Sequence, residues 1–254
     1  MAYSTRDRVV GYGFRSSLPQ GVKWLLIINV SLFILYFFTV RTSYGAIFTP
    51  LKLIPSWVVS GALWQPATYL FLHSPFDLLH ILFNMLTLWM IGVALENTWG
   101  TRLFLKYYFV CGIGAGISVV IASYLFGNPD VPTIGASGAI YGLLLAFGLL
   151  FPDATLFLFI FPVKAKYAVM ILGAIAFLMS ASGSGGTVSH IAHLGGLVVG
   201  YLYLKSGQVR LVRTDPLGGL RERYHHWRRE RAKRKFQVYM RKHNPDRDFR
   251  DWKN

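Results

Sequence analysis

The chain has 254 residues, 54% of them hydrophobic and only 15% charged, with a mean hydropathy of +0.43. A soluble domain carries about 25% charged residues, so the composition argues against an ordinary soluble enzyme and points to a membrane protein. The net charge of +15 is concentrated from Lys205 onward, which holds 16 of the 26 Lys/Arg and 6 of the 11 Asp/Glu; this describes a basic tail rather than a protein built to bind nucleic acid. The single cysteine, Cys111, cannot form an internal disulfide and reports no redox compartment.

In chain order, a polar lead (1–23) carries Arg6, Arg8, Arg15 and Lys23. It is too long for a secretory signal, and no small-residue cleavage site follows the apolar run after it. A spanning helix needs roughly 17–25 predominantly apolar residues. Trp24–Val40, Leu78–Leu95, Tyr107–Phe126 and Val131–Pro152 meet that length. The charge-free run Tyr167–Leu204 suffices for two spans, with a break at Ser180–Gly186. Ala154–Val163 is apolar but too short to cross and reads as an interfacial or re-entrant loop.

The expected fold is therefore an all-α membrane protein: a six-transmembrane-helix bundle over 24–205, a cytoplasmic N-terminal segment over 1–23 and a basic cytoplasmic tail over 206–254. Arg102 and Lys106 follow span 2, and Lys164 and Lys166 follow span 4, whereas the opposite loops hold only Arg41 and Lys52. By the positive-inside rule both termini are cytoplasmic. Spans 2, 4 and 6 then all begin at the outer face.

Polar groups at membrane depth usually face the bundle interior or a wet cavity. His80 and Asn84 share a helix face at i, i+4. Ser137 and Tyr141 have the same relation, and span 6 carries His190 and His193 followed by Gly196 and Gly200. Taken singly, each residue reads better as packing or structure: Gly138/Gly142 and Gly196/Gly200 are small-xxx-small pairs that let membrane helices approach closely. Together the polar groups fit acyl transfer. A serine needs a base to take its proton and return it to the leaving amine, and a developing oxyanion needs placed donors. Ser137 at a helix start offers N–H groups and the positive end of the helix dipole, and His80 and Asn84 offer side-chain donors. With no acid in spans 2, 4 and 6, a Ser-His dyad fits better than a triad. Spacing favours His193 over His190 as base without deciding between them. A His-Glu-x-x-His zinc motif is absent, and the spans lack the charges of an ion relay.

With these residues in view, the chain resembles the rhomboid intramembrane serine proteases over about Leu63–Leu204. "GASGAIYG" resembles that family's Gly-x-Ser-Gly motif with its tyrosine, "HILFN" its His-x-x-x-Asn and "AHLGGLVVG" its His-x-x-Gly-x-x-x-Gly. Gly92, Glu96 and Gly100 resemble its Gly-x-x-x-Glu-x-x-x-Gly. The resemblance implies Ser137 as nucleophile and His193 as base. It implies Asn84 and His80 at the oxyanion beside the Ser137 N–H, and Tyr141 packed on the His193 ring. It implies no cofactor and no metal. The implied partners are transmembrane protein substrates, cut in or near their membrane segment after passing span 5. The implied setting is an integral multi-pass protein of the plasma (bacterial inner) membrane. Trp64-Gln65 stands where some members have Trp-Arg. His73, seven residues before His80, reads as structural. The alternative is a catalytically inactive rhomboid-like binder of membrane helices, although such proteins usually lack the serine or the histidine and this chain keeps both. The tail reads as a solvated cytoplasmic segment or as a surface helix on anionic lipid; no nucleic acid is expected.

Overall fold

The computed structural model describes residues 18–158, 161–181, 187–207 and 231. Most of the N-terminal segment, the break within Ser180–Gly186 (182–186) and nearly all of the basic tail lie outside the described residues.

The first helix, α1 (Gln20–Thr39), buries Val22, Leu25, Asn29, Phe33 and Tyr36, a three-four spacing that keeps one face inward. Its other face is equally apolar: Ile27, Ile28, Leu35 and Phe38 are exposed. A helix hydrophobic all round, with its outer face uncovered by protein, is matched to lipid. The same holds for α4 (Leu78–Trp99) and α5 (Thr101–Phe126). Among the described residues, these three helices are long and apolar enough to cross a membrane.

Between α1 and α4 the chain builds a structured loop. A 3-10 helix (Ser43–Leu51) leads to the short helices α2 (Pro55–Val59) and α3 (Gln65–Thr68), then to a 3-10 turn at Tyr69–Phe71. Gln65, fully buried, accepts from the Ile54 N–H at 2.9 Å and donates to the Pro50 carbonyl at 3.3 Å. Trp64 Nε1 donates to that same carbonyl at 2.9 Å. Gln65 thus satisfies two backbone groups of the loop.

The centre of the bundle is α6 (Ser137–Leu150), packed against α4, α5, α7 (Ala165–Ala181) and α8 (Thr187–Lys205). It is shorter than the 22-residue span expected from Val131. The stretch 131–136 is not helical, because Thr133 pairs with Leu53 as an isolated bridge, with N–H···O distances of 3.0 and 2.8 Å. Fourteen residues rise only about 21 Å, against about 30 Å of hydrocarbon thickness.

The apolar stretch after α6, expected as an interfacial or re-entrant loop, has regular structure. It forms an antiparallel hairpin, β1 (Thr155–Leu158) with β2 (Phe161–Lys164), Thr155 paired with Lys164 and Leu158 with Phe161. Pairing the strands satisfies backbone groups that a loop would leave to solvent. Asp153 at its base accepts from Lys166 at 3.0 Å, and that lysine holds the exposed Asp153 carboxyl below its ordinary pKa.

At the other end of α4 the helix continues past the predicted Leu95 to include Glu96, which is buried. Its carboxylate accepts the N–H groups of Gly21 and Val22, each at 2.8 Å, and the Thr101 hydroxyl at 2.6 Å. The negative charge thereby sits on the first turn of α1, where unpaired N–H groups and the helix dipole favour it.

Candidate active site

The site begins at Gly135. Its φ of +127° lies where side chains are strained. A Cβ there would also stand 3.0 Å from His80 Nε2 and 3.9 Å from Ser137 Oγ. The Gly135 N–H donates to the Tyr69 carbonyl at 3.0 Å, while the Tyr69 hydroxyl donates to the Gly112 carbonyl at 2.8 Å. Tyr69 therefore ties the approach to Ser137 both to the loop and to α5. Sequence reasoning passed over Tyr69; no local motif marks a residue whose partners lie 43 and 66 positions away.

Ser137 is the first residue of α6, with Ala136 as N-cap. The first N–H groups of a helix have no partner within it, so the main chain at Ser137 presents donors beside its own hydroxyl. Ser137 Oγ lies 2.8 Å from His193 Nε2, inside hydrogen-bonding range. The Tyr141 ring stacks on the His193 imidazole, with centroids 4.1 Å apart and planes 5° from parallel. His190 meets His193 edge-on at 5.9 Å. His193 Nδ1 is buried without a protein partner among the described residues. Glu96, sixteen residues along α4 from His80, lies about 24 Å away along the helix axis and is bonded to α1.

What brings Ser137 and His193 together is the contact of α6 with α8. A Cβ on Gly196 would collide with the backbone carbonyl of Gly138, and one on Gly142 or Gly200 would press on Cys111 of α5. Tyr107 braces the same junction by donating to the Gly142 carbonyl at 2.9 Å.

The remaining expected residues lie on α4. His80 Nε2 lies against Gly135. Its backbone N–H is held by Asp77 Oδ1 at 3.0 Å. Asn84 is buried, and its amide donates back to the His80 carbonyl at 2.7 Å rather than towards Ser137. His73, in the loop before α4, is fully buried against His80 with ring centroids 5.2 Å apart. Burial, with His80 adding to it, pushes the His73 imidazole down to about 3, so it is neutral. The seven-residue gap in sequence concealed this contact, because Ser74–Asp77 is not helical.

A serine hydroxyl held by an imidazole, with helix N–H groups adjacent, has the parts for nucleophilic attack on a carbonyl. Among known protein families, the model of the Rhomboid domain matches residues 60–206. The chain belongs to the rhomboid family. With its apolar helices, that makes it an integral membrane protein. It is 36% identical over 128 residues to Rhomboid protein 1, mitochondrial, of Saccharomyces cerevisiae, a match covering 49% of this chain and 36% of that protein. It is 32% identical over 146 residues to Rhomboid protease GluP of Bacillus subtilis, covering 58% and 26%. It is 29% identical over 165 residues to Rhomboid protease AarA of Providencia stuartii, covering 57% and 56%. The matches span about a third, a quarter and a half of these relatives. Rhomboids named as proteases thus stand among the chain's relatives.

Proposed function

We propose that this rhomboid is an intramembrane serine endopeptidase that cleaves transmembrane protein substrates in or near their membrane segment by a Ser-His dyad. The observation that carries the reading is the 2.8 Å approach of Ser137 Oγ to His193 Nε2 at the start of α6. On this reading the Ser137 hydroxyl donates to neutral His193. As Oγ attacks the scissile carbonyl carbon, Nε2 takes the proton. The carbonyl oxygen becomes an oxyanion facing the Ser137 N–H, His80 Nε2–H and, after its amide turns from the His80 carbonyl, Asn84. The tetrahedral intermediate then collapses. The C–N bond breaks, imidazolium returns the proton to the leaving amine, and an acyl-serine remains. Water, deprotonated by His193, hydrolyses it to free acid and serine. Tyr141 keeps the imidazole plane fixed through this cycle, since face-to-face stacking opposes rotation about χ2.

The short length of α6 supports a site recessed below the outer surface, where water reaches Ser137 while the rest of the helix stays buried. We read the core over 24–205 as six spans, α1, α4, α5, α6, α7 and α8, with substrates entering past α7. Arg102 and Lys106 at the start of α5, with Lys164 and Lys166 before and at the start of α7, support cytoplasmic termini, and on this reading the membrane is a bacterial inner membrane. On this reading residues 206–254 are a basic cytoplasmic tail, either solvated or lying on anionic lipid.

The test is cleavage of tagged transmembrane segments by the purified protein in lipid vesicles, with Ser137→Ala beside it. Cleavage lost in that variant supports the protease. A wild-type protein that binds such segments yet cuts none, and takes up no serine-directed fluorophosphonate, supports the inactive binder instead.

A further inference from the structure

We propose that His73 is a positioning residue for His80. Its buried imidazole donates a hydrogen bond, directly or through one water, to His80 Nδ1, and so holds the His80 proton on Nε2, facing Ser137. The inference rests on the protease reading above and adds to it a residue that the dyad and the oxyanion donors do not include.

Four observations converge. His73 is completely buried, and neither ring nitrogen has a protein partner among the described residues. A buried imidazole left without hydrogen bonds is costly, so its environment must answer at least one nitrogen. His80 is the polar ring beside it, at 5.2 Å between centroids and 56° between planes. The two rings are adjacent but not hydrogen-bonded as they stand; a turn of a ring or one water between them joins them. Thirdly, the His80 main chain is already fixed: Asp77 holds its N–H and Asn84 its carbonyl. Only the ring's tautomer remains to be set. Finally, Nε2 is the His80 atom that faces Gly135, close to Ser137 Oγ.

The direction of the bond follows from chemistry. A neutral imidazole has one donor and one acceptor nitrogen, and the partner of one decides the state of the other. If His80 donated from Nδ1 to His73, its Nε2 lone pair would face the developing oxyanion and repel it. If His73 donates to Nδ1, Nε2 carries the proton and stabilises the oxyanion. Only the second arrangement serves the oxyanion, and a His73 donor at Nδ1 sets it in the resting protein.

The experiment joins kinetics to a tautomer measurement. His73→Leu, which keeps bulk but no donor, should lower kcat roughly 10- to 100-fold, the range found for hydrogen-bond partners that orient metal-bound histidines. KM and Tm should be little changed. His73→Gln, which keeps a donor, should recover most of the loss. In a His80→Ala background His73→Leu should cost nothing more. Nitrogen-15 NMR of histidine-labelled protein in lipid, with His80 identified by its absence in His80→Ala, should show the Nε2–H form in the wild type. His73→Leu should show a mixture. Equal losses from His73→Leu with and without His80, failure of His73→Gln to rescue at unchanged Tm, or a wild-type His80 protonated on Nδ1 would each overturn the proposal. The wild-type spectrum decides even if His73→Leu does not fold. Ser137→Ala, run in parallel, separates failure of the protease reading: cleavage that survives it sinks that reading, whereas the tautomer result concerns His73 alone.

Discussion

Gly196→Ala tests how closely the chemistry depends on the α6–α8 contact. The added methyl would collide with the Gly138 carbonyl, main chain that cannot swing aside. Restoring an ordinary carbon–oxygen contact of about 3.3–3.6 Å requires the helices to part by about 1.5 Å. Ser137 adjoins Gly138, and His193 lies one turn before Gly196, so the separation acts directly on their 2.8 Å contact. Opened by about 1.5 Å, it exceeds hydrogen-bonding range, and a misplacement of even about 1 Å costs on the order of 10²-fold in rate. Stability should move less: overpacking costs about 1–3 kcal/mol, offset by about 1 kcal/mol of helix propensity gained over glycine. The assay is kcat for cleavage of a transmembrane segment, with fluorophosphonate labelling of Ser137 and a thermal melt. Gly173→Ala is the control, since its Cβ would meet only Leu197 Cδ1 at an ordinary 3.4 Å. Wild-type kcat in Gly196→Ala, or an equal loss in Gly173→Ala, would refute the reasoning.

Glu96→Gln should lower stability by about 1.5–3 kcal/mol, the range for hydrogen bonds to a charged group, and a lower Tm with unchanged kcat per folded molecule is the expected result. Gln65→Ala leaves the buried Ile54 N–H unanswered and should cost about 1–3 kcal/mol, read as a fall in Tm. For Asp153 the pairing with Lys166 lowers the folded pKa, so any stabilisation exists above the unfolded pKa and fades as pH falls through the folded one. The pair is exposed and screened; Asp153→Asn should therefore leave Tm unchanged from neutral pH down to the carboxylate range.

The apolar runs that became α1, α4 and α5 were legible because length and hydropathy are local properties. The i, i+4 pairs were legible for the same reason: once a stretch is helical, spacing dictates which side chains share a face. Long-range contacts were not legible. The true start of α6 depends on Thr133 pairing with Leu53, eighty residues earlier, and no periodicity in 131–152 reports it. The hairpin at 155–164 was hidden because a short apolar run reads alike as strand, loop or buried helix. Glu96 looked like the polar boundary of a span, yet it lies within the helix because α1 supplies its N–H donors. Gln65 could not be interpreted until the loop backbone it satisfies was in view. At the candidate site the sequence identified residue types suited to one reaction, and the close approach of α6 to α8 supplied the distance between them.

The central claim is tested most directly by mass spectrometry of the products from a transmembrane substrate panel in lipid vesicles, comparing wild type with Ser137→Ala. The account predicts a defined cut in or near the membrane segment that disappears in Ser137→Ala, while the variant melts as the wild type does. The same cut made at the same rate by Ser137→Ala would contradict it.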